Sequence, residues 1–182
     1  VPAEGGNAYA LDLIGQINEM NNGQYLYEET KNSPSNFCIG TAGYPEKHFE
    51  AMNLSSDLKN LKKKVDAGAE FIVTQLFYDN KKFFEFVSKC RDIGIDVPII
   101  PGIKPITNLR HLSFIPKFFH VNFPEAFSNE LEKCKNDEEV KQVGIEWTTA
   151  QCKELVKADI PVIHFYTMGK GQAVKNIAKE IF

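Results

Sequence analysis

The chain has 182 residues, of which 43% are hydrophobic and 25% are charged, and its formal net charge at pH 7 is −3. These values are typical of a globular protein with one sizeable core, and the weakly acidic balance argues against a general nucleic-acid binder, which is usually basic. No run of about 18 apolar residues is present and no signal peptide is visible, so the sequence predicts a cytoplasmic protein without a membrane span.

Helices and strands are predicted to alternate along the chain. A helix at residues 8–20 comes first, because Leu11, Ile14 and Ile17 recur at helical spacing. Strands are predicted where short apolar runs occur, at residues 36–42, 71–75, 97–100 and 161–165. The remaining helices are predicted from a cap at 55–57 to residue 68, from 79 to 94, at 107–115, at 125–157 with a break near 135–137, and at 172–181.

The strands indicate a parallel sheet that is covered on both faces. Three of them are continuous apolar runs without polar alternation, a pattern typical of parallel strands between helices. Two architectures fit, an open doubly wound sheet and part of a (β/α)8 barrel. No GxGxxG motif follows the first strand, which disfavours a Rossmann fold. A closed barrel needs eight strands and about 250 residues, so the sequence predicts either an open sheet or half of a barrel.

Each of the four strands ends in residues that a plain loop does not require, at 41–46, 74–79, 101–103 and 164–170, and all but the third segment contain polar side chains. Ligands bind at the carboxyl ends of parallel strands, so these segments predict a binding site. Gln75 could bind a heterocycle edge or merely end its strand. Tyr44 and Tyr166 could stack on an aromatic ring or pack in the core.

Other polar residues near these ends have structural alternatives. His48 could contact a ligand or stand at a helix entry, and Asp57 is most simply a helix N-cap. Lys63 and Lys64 could meet a phosphate or form a solvated helix face, while His164 is expected in the core.

The four cysteines are expected to be reduced. They stand at 38, 90, 134 and 152, form no CxxC pair and have no histidine at metal-ligand spacing. The sequence therefore predicts neither a disulfide framework nor a metal site.

Four segments together resemble the methylenetetrahydrofolate reductase family, in the family's order and spacing. They are "AGYPEKHFEA" (42–51), "DLKNLKKKVDAGAEFIVTQLFYD" (57–79), "PIIPGIKPI" (98–106) and "HFYTMGK" (164–170). The resemblance spans the whole chain and implies a (β/α)8 barrel that holds FAD. It also implies that NADH or NADPH reduces the flavin, which then reduces 5,10-methylenetetrahydrofolate to 5-methyltetrahydrofolate.

The resemblance also implies roles for individual residues. Positions that match FAD contacts are Tyr44, His48, Ala51, Asp57, Asn60, Lys63, Lys64 and Met168. Positions that match folate contacts are Gln75, His111, Tyr166 and Lys170. Two of these depart from the family pattern, since Lys170 stands where Arg is frequent and His111 where some members have Gln.

The family's catalytic acid, a glutamate after the first barrel strand, is absent from this sequence, as is its Arg-Gly-Asp segment after the fourth. The resemblance therefore implies that residues 1–182 are the C-terminal half of the barrel, strands five to eight, with no catalytic residue of their own. A half barrel leaves two strand edges open, so we expect self-association or pairing with the N-terminal half.

Two alternatives remain open at this stage. The first is a non-catalytic half-barrel module that binds a flavin or nucleotide. The second is a phosphate-binding aldolase or isomerase, weakly indicated by Gly169-Lys170-Gly171 and disfavoured by the segments 44–46 and 74–79.

Overall fold

The computed structural model describes residues 6–26 and 33–182. Within them the chain alternates between helices and short strands, as the sequence predicts. The helices are α1 Ala10–Asn21, α2 Leu54–Asp66, α3 Asn80–Asp92, α4 Arg110–Phe119, α5 Glu125–Leu131, α6 Asp137–Lys157 and α7 Gln172–Ile181. The strands are β1 Gly40–Gly43, β2 Phe71–Thr74, β3 Ile99–Ile100, β4 Gly102–Ile103 and β5 His164–Phe165.

All strand pairs are parallel. β1 pairs with β2 and β2 with β3, while β4 pairs with β5. Only Pro101 separates β3 from β4, and its carbonyl accepts a hydrogen bond from His164 N at 3.0 Å. Proline has no N–H to donate to a neighbouring strand, so the ladder is interrupted there while the chain continues. The parallel sheet between helices confirms the predicted α/β class.

Two main clusters form the core of the described residues. One includes Ile72, Phe83, Cys90 and Cys152, all fully buried, as the apolar runs predict. The other lies beyond the strand ends and includes Phe127, whose ring stacks on Trp147 with centroids 4.5 Å apart. This second cluster supports the loops that follow β2 and β4.

Several predicted boundaries are wrong. The first strand is Gly40–Gly43, not 36–42, and α4 begins and ends later than 107–115. Asn53, not Ser55–Asp57, caps α2, because its side chain accepts from Ser56 N at 2.9 Å. The predicted break in the long helical region is confirmed, since Asn136 caps a new helix there. Among the described residues, no helix is long and apolar enough to cross a bilayer.

Gly144 in α6 lies directly against the segment that follows β4. A Cβ at this position would stand 2.0 Å from the carbonyl oxygen of Ile106, whereas a Cβ at Gly15 in α1 would meet nothing within 4 Å. We expect Gly144→Ala to lower the free energy of unfolding by about 2 kcal/mol, because backbone must move to admit the methyl group.

Gly15→Ala is the matched control, and it should leave stability unchanged or raise it by about 0.5–1 kcal/mol through helix propensity. Urea unfolding followed by circular dichroism measures both variants. Equal stability of the two would contradict the close approach of α6 to Ile106.

Candidate functional site

The loop after β1 brings an aromatic pair to the carboxyl edge of the sheet. The rings of Tyr44 and His48 meet edge to face with centroids 4.6 Å apart. His48 N donates to Asp57 Oδ2 at 2.8 Å, so Asp57 ties this loop to the first turn of α2. The prediction that Asp57 caps its helix is therefore wrong. Burial raises the pKa of the Tyr44 phenol, and the carboxylates of Asp57 and Glu50 add to the rise.

Glu46 holds the same loop from the other side. Its carboxylate pairs with Lys82 at 2.5 Å and accepts from Asn122 N at 3.0 Å, and its side chain is only 8% exposed. These partners belong to α3 and to the segment before α5. Glu46 therefore has a positioning role in this loop.

Lys64 reaches from α2 back to β1. Its ammonium donates to Ala42 O at 3.2 Å and lines a narrow cleft together with Tyr44 and Asp57. Burial lowers the pKa of Lys64, and the nearby Asp57 carboxylate opposes that effect. A half-buried cation beside a phenol and a carboxylate is suited to bind an anionic group.

The other predicted site residues on α2 lie on different faces of the helix. Asn60 lies three residues after Asp57 and four before Lys64, so these three share one face of the helix. Lys63 is exposed and lies about 100° away from Lys64 around the helix axis. The structure thus does not place Lys63 with the group. A cation in the last turn of a helix also has a structural reason, favourable interaction with the helix dipole.

The ends of β2 and β5 meet across the intervening strand. Tyr166 donates its hydroxyl to Thr74 O at 2.9 Å, and Gly102 N donates to Thr74 Oγ1 at 2.9 Å. A Cβ at Gly102 would stand 2.1 Å from Thr74 O and 2.7 Å from the Tyr166 ring, so only glycine allows this approach. Burial raises the pKa of Tyr166, and Tyr44 is close enough to contribute to the rise.

Gln75 follows Thr74 at this edge. Its backbone N donates to Gly43 O at 2.7 Å, directly before Tyr44, and its Oε1 accepts from Leu76 N at 2.9 Å. The side-chain amide nitrogen donates to no group within the part of the chain that the structure describes. The structure therefore brings Tyr44, Gln75 and Tyr166 together at the carboxyl ends of β1, β2 and β5, although β5 pairs in a separate two-stranded sheet.

Two lysine charges act on His111, which lies at the start of α4. His111 has its pKa lowered to about 4 by burial first, then by the charges of Lys104 and Lys170. The imidazole Nδ1 accepts from Thr107 N at 3.2 Å, which also disfavours a proton on that nitrogen. His111 is therefore neutral at pH 7 and lies within electrostatic range of two lysines.

The structure gives less support to the predictions for Ala51, Met168 and His164. Ala51 is half-buried, and its carbonyl accepts from Lys47 Nζ at 2.6 Å. Met168 is 66% exposed, with a φ of 48° in the turn after β5. His164 is exposed, so its prediction as a core residue is wrong, and its ring meets Tyr166 edge to face at 4.6 Å.

Sequence reasoning missed Lys104. Its side chain is 6% exposed, its ammonium pairs with no carboxylate within the described residues, and burial lowers its pKa. A lysine directly after an apolar strand, where buried residues are expected, is a signal that could have identified it.

A scan against family models matches methylenetetrahydrofolate reductase over residues 1–181. This chain belongs to the methylenetetrahydrofolate reductase family.

Two curated relatives and one solved structure illustrate the similarity. The chain is 44% identical to methylenetetrahydrofolate reductase (NADH) 1 of Arabidopsis thaliana, over 97% of this chain and 30% of that protein. It is 35% identical to 5,10-methylenetetrahydrofolate reductase of Salmonella typhimurium, over 90% of this chain and 51% of that protein. The chain thus spans about a third to a half of the length of these relatives.

The solved structure is similar in fold. It is an uncharacterized protein from Clostridium thermocellum that binds two copies of 5-methyl-5,6,7,8-tetrahydrofolic acid. The TM-score is 0.51 at 18% identity, over 79% of this chain and 52% of the other. The family and the parallel α/β fold together fit a TIM-barrel-like architecture.

The charge environment of His111 can be tested directly by NMR. In the wild-type protein, its imidazole signals should titrate near pH 4. Lys104→Met should raise this pKa, because one of the two lysine charges that oppose protonation is removed. Lys117→Met removes an exposed charge from the same helix and is the matched control. An unchanged titration in Lys104→Met would contradict the proximity of Lys104 to His111.

Proposed function

We propose that this chain forms the C-terminal half of a (β/α)8 barrel in a flavin-dependent methylenetetrahydrofolate reductase. The observation that carries the proposal is the convergence of Tyr44, Gln75 and Tyr166 at the carboxyl ends of the parallel strands β1, β2 and β5, where the Tyr166 hydroxyl bonds Thr74 O. Catalytic and cofactor sites of (β/α)8 barrels lie at this edge. The reaction would be reduction of 5,10-methylenetetrahydrofolate to 5-methyltetrahydrofolate with NADH or NADPH as the reductant.

The residues near β1 and α2 fit FAD. The Lys64 ammonium uses one of its N–H groups in the bond to Ala42 O. Its other N–H groups can pair with a pyrophosphate. Within the described residues, Asp57 accepts a hydrogen bond through Oδ2, so Oδ1 is available to accept from a sugar or ribityl hydroxyl. Tyr44 and His48 offer aromatic surface for a ring system. When bound, FAD supplies the hydride transfer; the residues of this chain bind and orient it.

Gln75 and Tyr166 fit a folate substrate. A neutral side-chain amide can donate to and accept from the edge of a pterin, and the free Nε2 of Gln75 provides a donor. The Tyr166 ring is fixed by its bond to Thr74 O and lies near Tyr44, so it can form one wall of the site. The folate bound by the Clostridium thermocellum neighbour supports this substrate class.

The two lysines near His111 fit the anionic end of the substrate. Lys104 and Lys170 together present two positive charges beside a neutral His111. A folate glutamate tail carries carboxylates, and a nicotinamide dinucleotide carries phosphates, so either would be attracted here. Lys170 lacks the bidentate geometry of an arginine and acts as a point charge.

The family's catalytic glutamate would come from the N-terminal half of the barrel. Among the described strands only β2 pairs on both sides, and the outermost strands in chain order, β1 and β5, leave edges where the other half, or a second copy, could add strands. We propose that turnover requires this completion. A chain that binds FAD but never turns over, even when completed, would favour the non-catalytic flavin-binding module.

Adjacent lysines on α2 allow a sharp test of the FAD site. Lys64→Met should weaken FAD affinity about tenfold to a hundredfold, because a charge-assisted hydrogen bond to phosphate contributes roughly 1.5–3 kcal/mol. Lys63→Met is the matched control, with the same charge change one residue away on an exposed face, and it should change affinity little. Quenching of flavin fluorescence measures both.

An equal loss of FAD affinity in both variants would indicate general attraction by a basic helix and would contradict a specific role for Lys64. Unchanged affinity in both would place the pyrophosphate elsewhere.

A separate test addresses the folate site. Gln75→Leu should weaken binding of 5-methyltetrahydrofolate about tenfold, because a buried polar contact to the pterin is lost, with FAD affinity unchanged. Titration calorimetry of the FAD-loaded protein measures the first quantity and fluorescence the second. Loss of FAD binding in this variant, or unaltered folate binding, would contradict the assignment of Gln75.

A further inference from the structure

A second cavity lies outside the cluster just described. It has a volume of about 330 Å³ and opens between the N-terminus of α3, the segment before α5 and one face of α6. It shares no lining residue with the cleft around Tyr44 and Lys64. The proposed reductase function assigns nothing to it.

Three residues that line this cavity carry unpaired polar atoms. They are Tyr78, Asn80 and Gln151, whose side chains are 2%, 5% and 6% exposed. The hydroxyl of Tyr78, Oδ1 of Asn80 and Oε1 of Gln151 find no hydrogen-bond partner within the described residues. A buried polar group without a partner costs about 1–3 kcal/mol, so the folded chain gains if a ligand supplies these bonds.

The hydrogen-bond network determines which atoms of the two amides are free. Asn80 Nδ2 donates to Gln151 O at 2.9 Å and to Glu154 Oε2 at 2.7 Å, both of which can only accept. Gln151 Nε2 donates to Phe77 O at 3.1 Å. Both amides are therefore oriented, and each leaves a carbonyl oxygen as its free atom. The ligand must bring hydrogen-bond donors.

The charge of the lining residues also favours a ligand that donates hydrogen bonds. The carboxylates of Asp79 and Glu154 line the cavity, and no lysine, arginine or histidine is among its lining residues. One oxygen of Asp79 accepts from Lys81 N at 3.0 Å and one of Glu154 from Asn80, so each carboxylate keeps an acceptor available. Two negative charges and two free carbonyl oxygens favour a cationic ligand with several N–H donors.

Size and shape favour an organic cation over a bare ion. The volume is several times that of a water molecule, about 30 Å³ in the liquid. Trp147 adds an aromatic wall, against which an alkyl chain or a cation can pack. Within residues 6–26 and 33–182, no group of three His, Cys, Asp or Glu side chains is placed to hold a metal ion.

We propose that this cavity binds a small organic cation that carries a primary ammonium or guanidinium group. The charged group pairs with Glu154 and Asp79 and donates to the amide oxygens of Asn80 and Gln151. The rest of the ligand lies along Trp147. The site is independent of the proposed flavin and folate contacts.

Agmatine, which carries both an ammonium and a guanidinium, is a suitable probe. Titration of the full chain, followed by calorimetry and by the NMR signal of the Trp147 indole N–H, should show saturable binding. Glu154→Gln should weaken it at least tenfold, because the charge is removed while an acceptor for Asn80 Nδ2 remains. Butan-1-ol, a neutral probe of similar chain length, should not compete.

Glu146→Gln is the matched control, since Glu146 is on the same helix, outside the cavity, and accepts from Gln142 at 2.6 Å. It should leave agmatine affinity unchanged. Equal weakening by both variants would indicate attraction to an acidic helix and would overturn the proposal. Absence of a saturable shift at Trp147 would overturn it as well. Displacement of agmatine by Mg²⁺ at equal concentration would reassign the cavity to a metal ion.

Discussion

The close approach of β4 to β2 determines where the candidate site can form. Gly102 lies against Thr74, and the missing side chain leaves room for the Tyr166 hydroxyl to reach the Thr74 carbonyl. That hydrogen bond joins β2 to β5 across the strand between them. Gln75 directly follows Thr74, and Tyr166 bonds to Thr74, so the two residues lie at the same strand end. One glycine thus sets the spacing of two residues proposed to bind substrate.

Burial of positive charge is the main electrostatic feature of this edge. Lys64 and Lys104 are partly or largely withdrawn from water, and this desolvation lowers the pKa of each. Asp57 compensates Lys64, whereas Lys104 lacks a carboxylate partner in the region that the structure covers. An anionic ligand would relieve that deficit. Cofactors and substrates with phosphates or carboxylates are therefore electrostatically matched to this surface.

The sequence predicts the architecture well where the signal is local. Continuous apolar strands between amphipathic helices indicate a parallel sheet, and the structure confirms it. The strand ends also predict Tyr44, Gln75 and Tyr166 as neighbours, because parallel strands bring their carboxyl ends to one edge. Boundaries are less predictable: Asn53 and Ser55 are both plausible caps, and only the backbone path decides between them.

Contacts between distant segments could not be predicted from the sequence. Nothing local distinguishes Lys63 from Lys64 until the helix is placed against β1. Asp57 resembles a cap until the loop folds back and His48 N donates to it. The orientation of Asn80 and Gln151 likewise depends on a bond between residues 71 positions apart. These features belong to tertiary structure, which periodicity does not encode.

The anchoring of Glu46 has a mechanical consequence. One carboxylate joins the β1 loop to α3 through Lys82 and to the segment before α5 through Asn122. The loop that carries Tyr44 and His48 is consequently coupled to the second hydrophobic cluster. A displacement of α5 would therefore move Glu46, and through it the rings of Tyr44 and His48. The position of these two rings depends on a segment far away in the sequence.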